Sequence, residues 1–325
     1  VSWVTSEGTV SAMAGKRVGL VLGAGGTLGA AWTIGGLTAV EERIGRPLSQ
    51  ADVIIGTSAG SIVAAALRHG FTPSDLIAHQ LGEDAADLPG AHEFEHDSGR
   101  LPPPPRLRLG SARMLATAAL APHSVHPQAL ASAFVPQGRS EHHTLRRYVN
   151  TLVSDDPQAW PTRDTWIVSV DYERGRRVVF GRPGSPPARL PDAVVASCSI
   201  PGWHRPATIG DRRYVDGGVR SSASLDLLRA GELDEVYVLA PMASHRTDRP
   251  RRPSWRAERL MRQFFAAQLD AERRKVERAG TRVVVLTPGP DDLAAIGLNL
   301  MDGRRRHEVL RTAQATVPAA LRVAA

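Results

Sequence analysis

The pentapeptide Gly56-Thr57-Ser58-Ala59-Gly60 lies between an apolar run, Val53-Ile54-Ile55, and an alanine-rich stretch, Ser61 to Leu67. A serine framed by glycines between a strand and a helix is the setting of a nucleophile elbow. The turn is too sharp for neighbouring side chains, which accounts for Gly56 and Gly60. Ser58 then stands at a helix N-terminus, where free N–H groups and the helix dipole favour a developing negative charge. The same five residues also suit a plain serine in a strand-to-helix turn. A serine hydroxyl needs a base to take its proton, and Tyr214-Val215-Asp216-Gly217-Gly218 offers one. Asp216 follows a short strand, and the two glycines let it reach an open site, although an aspartate there could equally belong to a turn. A third segment, Gly23-Ala24-Gly25-Gly26-Thr27-Leu28-Gly29, follows the first apolar strand. A dinucleotide-binding loop would place glycines at 23, 25 and 28, and residue 28 is leucine. The other use of such a loop is to aim backbone N–H groups at an oxyanion, for which Gly25 and Gly26 are best suited.

Taken together, these segments resemble the patatin-like phospholipase family. Gly23 to Gly29 is similar to its glycine-rich oxyanion loop and Gly56 to Gly60 to its nucleophile elbow. Ala196-Ser197-Cys198-Ser199-Ile200-Pro201 is similar to its alanine-serine…proline block, and Asp216-Gly217-Gly218 to its aspartate-glycine motif. The resemblance spans roughly residues 16 to 240. It implies a three-layer α/β/α fold and cleavage of fatty-acyl esters or phospholipids by a Ser–Asp dyad without histidine. Carried over, Ser58 is the nucleophile, Asp216 the base, and the N–H groups of Gly25, Gly26 and Ala59 the oxyanion donors. Two positions depart from the family pattern: Ala24 stands at the first of three glycines, and Leu28 where Arg or Lys is usual. These departures bear on loop geometry and on preference for anionic head groups. Acyl transfer to another alcohol or thiol on the same dyad, and a non-catalytic lipid-binding protein that keeps the fold, are the alternatives.

The elements that must position these residues follow from the pattern of the chain. Arg17 to Leu22 reads as a buried strand leading into the glycine loop and a helix to about Ile44. Asp52 to Ile55 is a second strand, followed by the elbow and a helix to about His69. Such alternation argues for an α/β fold with a mainly parallel central sheet. Helical patterns lie near 111–120, 127–134 and 141–153. Thr165–Val170 and Arg177–Phe180 read as a strand pair, and Glu235–Leu239 and Arg282–Leu286 as later strands. Between the latter runs a helix of about 255–279. On it Leu260, Met261, Phe264, Phe265, Leu269 and Val276 form an apolar side surrounded by arginines. The reading favoured is a helix packed on the sheet with a charged outer face; the other is a helix docked on lipid. Residues 82–110 read as a long loop that suggests a flap over the site, and the run Leu101-Pro102-Pro103-Pro104-Pro105-Arg106 within it can be neither helix nor inner strand.

The 325 residues, 42% hydrophobic, suffice for a full core, organised as one domain over 17–325 after a flexible tail, 1–16. Cys198 is the one cysteine, so neither an internal disulfide nor a cysteine zinc site is expected. No His/Cys/carboxylate cluster has metal-ligand spacing, and no cofactor is expected. No apolar run approaches the length of a membrane span, and the first residues lack a secretory pattern, so the expectation is a cytoplasmic protein. The net charge is +7, and of 40 basic side chains only Lys16 and Lys275 are lysine. Scattered arginines without a nucleic-acid motif argue against nucleic acid and admit peripheral contact with an anionic membrane. His204, His245 and His307 follow Asp216 in the order of a conventional triad. Only one strand and one helix precede the elbow strand, however, which argues against an ordinary α/β-hydrolase. His142 and His143 read as a solvated helix face.

Overall fold

The computed structural model describes residues 15–83, 104–106, 108–121, 123, 125–153, 160–229, 231–246, 248 and 250–324. Most of the tail 1–16 and of the expected flap 82–110 therefore lies outside the described residues. Strand β1 (Val18–Leu22) and strand β2 (Val53–Thr57) are buried along their whole length, as strands of a parallel sheet covered on both faces must be. Between them runs α1 (Gly26–Ile44), and β2 leads into α2 (Ala59–Arg68). Helix α3 (Pro73–Leu81) starts on a reciprocal cap between Thr72 and Asp75, with Pro73 at its first position. Helices α4 (Ala112–Leu120), α5 (Pro127–Phe134) and α6 (His143–Leu152) precede the hairpin of β3 (Asp164–Asp171) and β4 (Arg176–Phe180). Then come α7 (Leu190–Ser197), β5 (Ala207–Ile209), β6 (Arg212–Asp216), β7 (Glu235–Leu239), α8 (Pro253–Glu277), β8 (Arg282–Leu286), α9 (Pro290–Ile296) and α10 (Arg306–Ala324).

The strands form one sheet in the order β5-β6-β3-β2-β1-β7-β8, with β4 also on β3. The central pairs β3–β2, β2–β1, β1–β7 and β7–β8 are parallel, while β4, β5 and β6 add antiparallel pairs on one side. Alternate residues face opposite layers. Leu20, Leu22, Ile54 and Tyr237 pack in a core with residues of α1, α2, α7 and α10. Val21, Ile55, Val168 and Val238 pack in a second core with Ala266, Leu269 and Val276 of α8. The fold is the expected α/β architecture, a mostly parallel sheet flanked by helices.

Helix α2, which begins at the elbow, is held at its other end by Arg68. That guanidinium donates to the carbonyls of Ser49, Ala51 and Asp164 at 2.7–2.9 Å, and its Nε to Thr165 Oγ1 at 2.9 Å. Burial and the nearby Arg163 lower its pKa to about 10, still far above neutrality. Where α2 starts, the chain is pressed against the strand beside it. A Cβ on Gly60 would lie 2.0 Å from the Leu22 carbonyl oxygen, and one on Gly56 2.6 Å from Ser61 Cα. Gly45, the left-handed cap of α1, has open space around it. Gly60→Ala is therefore expected to cost at least the 1–3 kcal/mol of overpacking. Gly45→Ala should cost about 1 kcal/mol through its backbone conformation alone. Urea midpoints of the two variants check this, and equal losses would contradict the close approach.

Candidate active site

Three chain reversals meet at the carboxyl ends of β1 and β2. Ser58 is the residue between β2 and α2, with φ 52° and ψ −124°. A positive φ is costly for a residue with a Cβ, and the sharp turn it makes is the elbow expected from the sequence. The conformation is held from several sides. The Ser58 N–H donates to Ser197 Oγ at 2.8 Å, and the Ser197 hydroxyl in turn donates to the Val168 carbonyl at 2.6 Å. The Ser58 carbonyl accepts from both the Ser61 hydroxyl at 2.6 Å and the Ser61 N–H at 2.8 Å. The backbone of Ser58 is thus fully bonded, which leaves its side chain as the free variable. The side chain is used: the Ser58 hydroxyl is among the groups that favour the ionised form of the Asp216 carboxyl group.

Asp216 ends β6, opposite Ser169 of β3 in the antiparallel register. Its N–H donates to the Ser199 carbonyl at 3.0 Å, and its Oδ1 accepts from the Gly218 N–H at 2.7 Å. Gly217 is required by space, and at Gly218 the space is tight. A Cβ on Gly217 would lie 2.4 Å from the Val168 carbonyl oxygen, and one on Gly218 3.0 Å from Asp216 Oδ1. Ser58 and Asp216 are each only 5% exposed. Burial drives the Asp216 pKa up, and the Ser58 hydroxyl and the Gly218 N–H offset only part of that rise, so it comes to about 6.

The glycine loop closes the third side. Gly23 N–H donates to the Leu239 carbonyl at 2.9 Å and Ala24 N–H to the Ser222 carbonyl at 2.7 Å. Ala24 Cβ lies 3.3 Å from where a Cβ on Gly218 would be, so the loop touches the Asp216-Gly217-Gly218 turn. Gly26 has φ +61°. Gly29 N–H closes the first turn of α1 onto the Gly25 carbonyl at 2.9 Å. The N–H groups of Gly25, Gly26 and Ala59 have no hydrogen-bond partner among the described residues. They stand at or just before the first turns of α1 and α2, where such orphan donors are expected. Ser58, Asp216 and the glycine loop, far apart in sequence, are thus brought into one place.

Residues 20–229 match the model of the patatin-like phospholipase family. The chain belongs to this family. Membership in the patatin-like phospholipases supports lipid acyl hydrolysis in general. No curated protein matches the sequence. Among solved structures, VipD from Legionella pneumophila is similar with a TM-score of 0.43 and 12% identity, over 95% of this chain and 67% of VipD. The type III effector protein ExoU is similar with a TM-score of 0.39 and 17% identity, over 95% of this chain and 53% of ExoU. The chain therefore spans about half the length of ExoU.

Several contacts around the site were not evident in the sequence. Ser197, noted there only as part of a motif, is the residue that holds the elbow N–H. Cys198 is buried among Ser58, Ser61 and Asp216, and burial raises its thiol pKa above the ordinary value. Leu300 and Met301, beyond the matched family domain, cover the glycine loop. The Leu300 carbonyl accepts from Leu28 N–H at 2.9 Å, and Met301 Sδ would be 2.9 Å from a Cβ on Gly26. Leu28 itself is fully buried in the main core, so an arginine there would be forced into apolar surroundings rather than offered to a head group.

Two expectations about surfaces are corrected. His142 is not on a solvated face: its ring stacks on His204 with centroids 3.9 Å apart, and its Nε2–H donates to the Cys198 carbonyl at 3.0 Å. Burial lowers the pKa of His142 to about 4 and of His204 to about 3, so both are neutral near pH 7. His143 is exposed, beside Glu141, as expected. On α8, Arg259 and Arg262 are buried whereas Leu260, Met261 and Phe264 are exposed. The carbonyl of Pro241, just beyond β7, accepts from Arg262 Nη1 at 2.5 Å, and Glu258 pairs with Arg262 and Arg259. Satisfying these groups turns the arginines inward. Among the described residues no helix is long and apolar enough to cross a membrane, and no metal-binding cluster is found.

The raised pKa has a thermodynamic consequence. A carboxyl group with pKa of about 6 in the folded protein against an ordinary 3.8 is penalised when ionised. The penalty is absent below about pH 4 and complete above about pH 6. A two-unit rise corresponds to about 3 kcal/mol at most. Asp216→Asn is therefore expected to melt above the wild type at about pH 8, with the difference vanishing near pH 4. A lower melting temperature at alkaline pH would show that the carboxylate is stabilised rather than strained by its site.

Proposed function

We propose that this chain is a serine-dependent lipid acyl hydrolase that cleaves fatty-acyl esters, phospholipids among them, through an acyl-enzyme on Ser58. The observation that carries the reading is a buried Asp216 whose pKa is raised to about 6, with the buried Ser58 hydroxyl among the groups that stabilise its charge. An ordinary aspartate is a weak base for an alcohol proton, and a pKa nearer the working pH improves it. In this reading Asp216 takes the Ser58 proton as Oγ attacks the ester carbonyl. The tetrahedral oxyanion is received by the unpartnered N–H groups of Gly25, Gly26 and Ala59, supported by the dipoles of α1 and α2. The proton on Asp216 then passes to the departing alcohol. A water, deprotonated by the same carboxylate, releases the fatty acid and restores Ser58. The Ser58 N–H takes no part, because Ser197 already occupies it. Histidine is not needed: no histidine is hydrogen-bonded to Ser58 or Asp216 among the described residues.

The test has three readouts. A fluorophosphonate should label Ser58 in the wild type and fail on Ser58→Ala. Ser58→Ala and Asp216→Asn should each abolish hydrolysis of a fatty-acyl p-nitrophenyl ester; full activity in either would sink the dyad. The pH profile follows from the carboxylate acting as base. kcat/KM on a neutral ester should be flat above about pH 6 and fall about tenfold per unit below it. A profile flat to about pH 4 would remove Asp216 from the role of base.

A further inference from the structure

We propose that the exposed face of α8 docks the protein on an anionic lipid surface, beside the site read above as a lipid acyl hydrolase. Leu260 is 65% exposed, Phe264 54% and Met261 39%. Spaced three and four residues apart, they form one stripe on the helix, on the side opposite the buried Arg262. Hydrophobic side chains at such positions serve no core, and a helix of this kind suits an interface with lipid.

The surrounding charge decides the occupant. Residues 246–262 carry seven arginines against two acids, Asp248 and Glu258. Both acids are engaged by the inward-facing arginines: Asp248 by Arg259, and Glu258 by Arg259 and Arg262. Arg246, Arg251, Arg252 and Arg256 are exposed and form no ion pair among the described residues. The outer surface therefore combines a short apolar stripe with uncompensated positive charge, which complements acyl chains beneath a layer of anionic head groups.

Position ties this face to the site. Arg262 is bonded to the carbonyl of Pro241, and Pro241 Cγ would lie 2.6 Å from a Cβ on Gly25. Farther along the helix, Gln268 donates to the carbonyl of Arg220, four residues beyond Asp216. The same helix thus braces the glycine loop and the Asp216 turn from behind while presenting Leu260, Met261 and Phe264 outward. A membrane on that face would therefore be in contact with the helix that supports both the glycine loop and the Asp216 turn.

Binding is measured by flotation with phosphatidylglycerol–phosphatidylcholine vesicles and with phosphatidylcholine alone, using Ser58→Ala protein so that the lipids are not hydrolysed. The protein should float with the anionic vesicles and lose them as salt is raised. Replacing Arg251, Arg252 and Arg256 by Ser should remove the anionic preference, about fivefold per arginine and roughly a hundredfold for the three. Leu260→Ser, Met261→Ser and Phe264→Ser combined should lower binding to anionic vesicles at least tenfold. In the Ser58 background these last variants should turn over a soluble short-chain ester as the wild type does. That separates failure of docking from failure of the hydrolase reading, which would appear as no turnover at all. Unbound wild type, or an apolar triple variant that floats unchanged, overturns the proposal. So does a dimer in the ultracentrifuge that the apolar variant dissociates, since the face would then join two copies of the chain.

Discussion

The backbone of one residue governs the arrangement around it. Ser58 occupies a region of conformational space that costs on the order of 1–3 kcal/mol for a residue with a side chain. It is kept there because relaxing it would strand other groups. Its N–H would lose Ser197, and Ser197 is itself fixed by the carbonyl of Val168. Its carbonyl would lose Ser61, and α2 would lose the close approach at Gly60 to the end of β1. The strained turn is therefore locked by the sheet on one side and by two helices on the other. What it gains is a hydroxyl presented to Asp216 instead of one consumed in capping: Ser58 makes no side-chain cap to α2.

Burial acts on Asp216 in two directions. The apolar, close-packed surroundings that exclude water raise its pKa and make it a better proton acceptor, yet the same exclusion makes the ionised form expensive to hold. The single N–H of Gly218 and the hydroxyl of Ser58 stabilise the charge without neutralising it. A cation in their place would restore the ordinary acidity and weaken the base. Leu28, where related loops usually carry Arg or Lys, is turned into the core, which leaves the carboxylate without a basic neighbour from the glycine loop.

Much of this was legible in the sequence because it is recorded locally. Gly56, Gly60 and Gly217 mark places where a Cβ has no room, and such places are also where the chain turns to present Ser58 and Asp216. The inner strands were evident as apolar runs, since both faces of the sheet are covered. What could not be read depends on partners far away in the chain. Ser197 meets Ser58 across 139 residues, and nothing near Ser197 states that. His142 has the composition of a surface helix and is buried because a second imidazole happens to stack on it. The apolar period of α8 was visible, but periodicity cannot say which stripe faces inward. The carbonyl of Pro241 decided that, by drawing Arg262 to itself.

The glycine loop has a further dependence, in time. Its N-terminal strand lies between β2 and β7, its second residue is bonded to Ser222, and its lid is Leu300 and Met301. The loop and the elbow are synthesised before the residues that complete their surroundings, which follow some 240 positions later. At about 5–20 residues per second that is an interval of roughly 10–50 s. Throughout it the elbow serine and the loop coexist without the walls that shape them. A growing chain thus carries its reactive parts unassembled, and the assembled site becomes available only once the segment through Met301 has been made.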